Sequence, residues 1–68
     1  MTSATYEVMP VGDEWEIRMA EDSIHEVAPT RDAAIARARQ LVNSFGGGRV
    51  IVRGETGEIE REYVQEAR

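Results

Sequence analysis

Apolar and polar residues alternate along two stretches near the start of the chain, YEVMPV at 6–11 and EWEIRM at 14–19. Such alternation puts successive side chains on opposite faces of a strand, one buried and one wet. Only Gly12 and Asp13 separate the two stretches, the spacing of a tight two-residue hairpin. Pairing Val11 with Glu14 then sets Tyr6 opposite Met19, Val8 opposite Ile17 and Pro10 opposite Trp15 on one face. Glu7 opposes Arg18 on the other. Turn chemistry and apolar pattern select the same register, which is how a hairpin register is fixed.

Residues 20–29, AEDSIHEVAP, read as a polar connection anchored by Ile24 and Val27, with part of it extending the second strand. The period then changes. Ala34, Ile35, Ala38, Leu41, Val42 and Phe45 follow helical spacing and make one apolar stripe. Thr30 suits the N-cap, Asp32 suits the positive end of the helix, and Gly46 sits where a helix commonly stops in a left-handed residue. A helix is predicted over 31–45.

Alternation returns at RVIVR, 49–53, and EIEREYV, 58–64, around Gly54-Glu55-Thr56-Gly57. Setting Arg53 opposite Glu58 brings Val52 to Ile59 and Arg49 to Glu62, two charge pairs and one apolar pair. The predicted fold is α+β, in the order ββαββ: an antiparallel sheet of two hairpins with one helix packed on one face. The expected core is Val8, Trp15, Ile17, Ala34, Ala38, Leu41, Val42, Phe45, Val50, Val52 and Ile59.

At 68 residues the chain makes one small domain, ordered over about 5–64. A chain this short buries only about 60% of its unfolded surface, so self-association is one way to add buried area. With 41% apolar and 31% charged residues it has a globular composition. It lacks cysteine, which excludes disulfides, thiol chemistry and cysteine zinc sites. No apolar run reaches the roughly 20 residues of a membrane span, and MTSATYEV does not have the layout of a signal peptide. A cytoplasmic protein is expected, with no membrane partner.

The net charge of −5 is unevenly spread: −6 over residues 1–29, +4 over 30–53 and −3 over 54–68. All eight basic residues are arginine. This raises an alternative reading, nucleic-acid contact through Arg31, Arg37, Arg39, Arg49 and Arg53. Against it, Arg37 and Arg39 fall about 160° apart around the helix, flanking the apolar stripe instead of forming one basic face. Arg49 and Arg53 face glutamates in the register above. The glycines of FGGG, 45–48, invite a phosphate-loop reading, but such a loop precedes a helix, and these follow one.

His25 is the single histidine, with Asp22 and Ser23 beside it. Residues this close on one segment do not converge as nucleophile, base and orienter. The carboxylates of Glu14, Glu16, Glu58, Glu60 and Glu62 fall on outer strand faces or beside arginines, where little tunes them for catalysis. Neither a catalytic set nor a metal or cofactor site is expected. What remains is the outer sheet face, where Met9, Val11, Ile51 and Val64 form a modest apolar patch. The sheet edges there carry no blocking proline or lysine.

Three motifs taken together resemble a family of small bacterial, archaeal and phage proteins of unknown function, DUF2188. They are YEVMPVGDEWEI, a strand leading through Gly-Asp to a tryptophan-centred strand; TRDAAIARARQLV, a Thr-started, alanine-rich helix; and GGGRVIVRGETGEIEREY, a glycine exit and terminal hairpin. The similarity covers nearly all of 5–64. The connection EDSIHEVAPT departs from it, being more acidic and apolar. The resemblance supports the fold and brings no catalytic residues with it. The expected function is that of a non-enzymatic interaction or accessory domain whose partner is a second copy, giving a homodimer, or another protein.

Overall fold

A computed structural model of the chain describes residues 4–19 and 25–65. Five strands and one helix follow in the order β1 (Ala4–Val11), β2 (Glu14–Met19), β3 (His25–Ala28), α1 (Arg31–Ser44), β4 (Gly48–Arg53) and β5 (Ile59–Gln65). They build a small α+β unit: a single sheet ordered β3-β2-β1-β4-β5, with the helix against one face.

The first hairpin has the register read from its sequence, from Tyr6↔Met19 through Val8↔Ile17 to Val11↔Glu14. Gly12 turns it with φ +61, and Asp13 keeps a negative φ. This combination belongs to a type II′ turn, whose twist matches the strands it joins. The connection after β2 departs from the expectation. His25–Ala28 is a strand in its own right, antiparallel to β2, with Trp15↔Ala28 and Ile17↔Glu26 in register. Ala28 is buried while Val27, the expected anchor, is exposed. Alternation explains the swap: Glu26 and Ala28 point to the helix side and Val27 to the other. Ile24, the second expected anchor, lies outside the described residues, as do Asp22 and Ser23.

The helix begins where Thr30 accepts a hydrogen bond on its side chain from the Ala33 N–H at 3.1 Å. It ends in a Schellman arrangement. The Gly46 N–H donates to the Asn43 carbonyl and the Gly47 N–H to the Val42 carbonyl, with Gly46 at φ +89. Ala34, Ile35, Ala38 and Val42 form its buried stripe. Leaving this cap, the chain enters β4, which runs parallel to β1 from Ala4↔Gly48 to Val8↔Val52. The sheet is therefore mixed, where two antiparallel hairpins were expected. A helix that returns the chain to the end where β1 began makes the next strand parallel to it.

The second hairpin corrects the predicted register. Arg49 opposes Val64, Val50 opposes Tyr63 and Val52 opposes Arg61, while Arg53 opposes Ile59. The shift has two parts: Arg53 meets Ile59 instead of Glu58, one residue further along, and a β-bulge between Val52 and Arg53 adds a second residue, because Glu60 has no partner of its own. The first of these steps, on the loop side of the bulge, sets Ile59 beside Arg53 on the uncovered face and leaves it 60% exposed instead of in the core. Phe45 is the other displaced core residue. It caps the helix with non-helical backbone (φ −88, ψ 2), steps off the buried stripe and leans its ring toward that of Tyr6 at 6.3 Å.

The observed core comprises Ala4, Tyr6, Val8, Ile17, Ala28, Ala34, Ile35, Ala38, Val42, Val50 and Val52, with Trp15, Met19, Leu41 and Tyr63 packed around it. Among the described residues no helix is long and apolar enough to cross a membrane.

Gly48 sits at the closest approach in the fold. It has φ +147, and a Cβ built on it would stand 1.9 Å from the Ala4 carbonyl oxygen. Around Gly46 the space is open, so a side chain there meets only backbone strain. Gly46→Ala is expected to cost about 1–2 kcal/mol, the left-handed penalty alone. Gly48→Ala should cost more, about 3 kcal/mol or above, because strain and a backbone clash add. Urea unfolding midpoints of the two variants check the order.

Candidate interaction surface

The pleat divides the polar side chains between two faces. On the helix side, Arg37 reaches over the sheet toward β3 and donates from Nε to Glu26 Oε1 at 2.9 Å and from an Nη to Oε2 at 3.1 Å. Arg39, on the other flank of α1, lies over the Tyr63 ring on β5, 5.1 Å from its centroid. The two arginines thus straddle the apolar stripe, as their helical spacing predicts. Arg31 points at Glu60, with 3.6 Å between their charged atoms.

The other face has no helix over it. Its charges pair within the sheet: Arg49 with Glu62 at 2.9 Å, Arg53 with Glu7 at 3.3 Å and Arg18 with Glu16 at 3.6 Å. Arg49 and Glu62 meet diagonally, since the direct partner of Arg49 is Val64. Arg53 does not meet Glu58. It donates to the Gly57 carbonyl and to Glu7, and so ties the β4–β5 loop to the central strand. Glu7 and Arg18 are backbone partners, yet each finds its ion pair elsewhere.

Met9, Val11, Ile51 and Val64 all lie on this uncovered face. Met9 and Ile51 are half-buried, whereas Val11 and Val64 are 53% and 69% exposed. The register places Met9 and Ile51 on one diagonal of neighbouring strands and the Glu7–Arg53 bridge on the crossing diagonal. The apolar positions are thereby separated by charge. Val64 stands apart at the edge, on β5. The five arginines of the alternative reading are divided between the faces, Arg31, Arg37 and Arg39 on one and Arg49 and Arg53 on the other. Arg31, Arg37, Arg49 and Arg53 each sit against a carboxylate.

At one end of the sheet the β1–β2 turn, the β4–β5 loop and the start of α1 enclose a cleft of about 450 Å³. Trp15, Arg31, Asp13, Glu55, Glu58 and Glu60 line it. Two of its carboxylates already have partners within the chain, Glu60 in Arg31 and Glu58 in the Thr56 hydroxyl and backbone N–H. Among the described residues no group of three acidic or histidine side chains could hold a metal ion. The open sheet edges were legible in the residues, but the exposure of Ile59 beside one of them was not, because neither the longer connection before it nor the bulge at Glu60 is announced by a glycine of its own.

These features define a class: a one-helix α+β domain whose mixed sheet is covered on one face and open on the other. Within that class, the model of a family described as uncharacterised proteins conserved in bacteria (DUF2188) matches residues 6–64, and the chain belongs to this family. Comparison with curated proteins and with solved structures gives no match.

The hydrogen bonds from Arg37 hold the Glu26 carboxyl below its ordinary range, and those from Thr56 do the same for Glu58. A depressed carboxylate stabilises the fold above its unfolded pKa, and this is lost as pH falls through the folded value. Both groups are exposed, so the effect is small. Replacing Glu26 with Gln should lower thermal stability slightly at neutral pH, where the depressed carboxylate contributes, and leave acid stability nearly unchanged, so the fall below about pH 4.5 is flatter. Melting curves from neutral to acid pH measure this.

Proposed function

We propose that this protein is a small non-enzymatic interaction domain that engages a polypeptide along the free edge of β5 and the adjoining uncovered face. One observation carries the reading. β5 is a seven-residue outer strand, and it presents Ile59 and Val64 at 60% and 69% exposure. An unblocked edge offers a row of backbone donors and acceptors to an added strand, and exposed side chains beside it give that strand something to grip. The apolar patch expected at Met9, Val11, Ile51 and Val64 contributes chiefly through Val64, because charge separates the remaining members. The arginines are mostly engaged by carboxylates and face two ways, so they supply no track for a polyanion.

A photo-reactive amino acid placed at Val64 tests the reading in the cell that makes the protein. Illumination is expected to join it to a protein, whereas the same probe at Asp32, on the exposed surface of α1, yields little. Equal yields at both positions, or none at Val64, would sink the proposal.

A further inference from the structure

Two strands bound the sheet: β3 with four residues and β5 with seven. We propose that the β5 edge pairs antiparallel with the β5 edge of a second copy, centred on Tyr63, joining two five-stranded sheets into one. This inference rests on the interaction reading above and names the partner.

Symmetry and charge together select the arrangement. A two-fold axis relating antiparallel neighbours stands perpendicular to the sheet, so both helices lie on the same side. Residues that face each other across the axis must then point to the same face. Centring the pair on Arg61 or on Glu62 sets that residue against its own copy, like charge against like. Centring it on Val64 leaves only residues 63 to 65 overlapped within β5. Centring it on Tyr63 pairs residues 61 to 65 with no like charges opposed: Tyr63 meets Tyr63, Glu62 meets Val64 and Arg61 meets Gln65.

The helix side supplies a second observation. A groove of about 370 Å³ lies beside β5, lined by Ala36, Arg39, Gln40, Asn43 and Gln65. In the Tyr63-centred pair, Arg61 of the second copy arrives opposite Gln65. There the amide oxygens of Gln65 and Asn43 serve as acceptors for its guanidinium, while that of Gln40 already accepts from Arg37. At the axis, two tyrosine rings stack across strands, each already topped by Arg39 and flanked by Arg61, at 5.1 and 6.0 Å from the ring centroid. On the opposite face, exposed Val64 packs along the stem of Glu62. Stacking two uncovered faces would instead bury the three ion pairs they carry, which desolvation opposes. A strand-sized contact falls at the low end of specific interfaces, so association is weak and concentration-dependent.

Sedimentation equilibrium from low micromolar to millimolar protein tests the pairing, with circular dichroism confirming that each variant folds. Gln65→Arg sets two arginines opposite each other and is expected to weaken dimerisation roughly three- to tenfold. Adding Arg61→Glu to that variant restores it, because opposite charges then meet, and Gln65→Glu alone tightens it. A chain that stays monomeric throughout overturns the inference, as does a dimer indifferent to these changes. A monomer in isolation whose Val64 probe still captures other proteins refutes self-pairing alone and leaves the interaction reading standing.

Discussion

The parallel pairing of β1 with β4 is the constraint on which the rest of the structure depends. Without it the chain is two hairpins and a helix, and an isolated two-stranded hairpin is marginal in water. The pairing puts Tyr6 and Val8 beside Val50 and Val52, four of the most deeply buried side chains, at the centre of the sheet. It also fixes where α1 must lie, since parallel neighbours need a crossover and the helix is that crossover. The contact that permits it is narrow. Ala4 and Gly48 approach so closely that only glycine fits, and the Ala4 N–H donates to the Gly47 carbonyl at 3.2 Å just beside them. The run of glycines therefore has two jobs in three residues: Gly46 and Gly47 close the helix, and Gly48 admits β1.

Much of this was legible in the residues, and the reasons are local. Gly-Asp between alternating strands fixes a hairpin register because turn and pattern must agree. Thr30 and Gly46 bound the helix because their chemistry answers the unpaired N–H and C=O groups of its ends. What escaped reading depends on contacts between distant segments. Nothing within HEVA is strongly strand-like, yet β2 offers it a free edge and Arg37 a partner for Glu26, so it pairs. Parallel β1–β4 pairing leaves no trace in either hairpin taken singly.

The second hairpin shows a different limit. Its charges suggested that Arg53 would meet Glu58 and fix the register. In the fold Arg53 is drawn to Glu7 on the central strand, and Glu58 is satisfied by Thr56 inside the loop. The competing partner for Arg53 comes from a residue far away in sequence, so short-range charge matching chose wrongly. With Arg53 opposite Ile59 instead of Glu58, Ile59 goes to solvent, and the bulge one residue further on leaves Glu60 beside Arg31. A shift of one residue on one strand thus exchanged a core position for an exposed edge. The arginine–glutamate pairing survives only as the diagonal Arg49–Glu62 contact.

One helix can cover one face of this sheet, and the sequence treats the remaining surfaces differently. On the uncovered face each exposed arginine is matched by a carboxylate on its own or a neighbouring strand, which keeps that face solvated and costly to bury. On β3 the free edge is short. On β5 it is long, runs without proline or lysine past the bulge at Glu60, and is bordered by exposed Ile59 and Val64. Edge strands are normally shortened, charged with lysine or interrupted by proline when pairing must be avoided. This fold neutralises its open face and leaves its longer row of unpaired backbone donors and acceptors on β5. Because the core is small, backbone hydrogen bonds added along that edge are a route to stability that does not require more apolar surface.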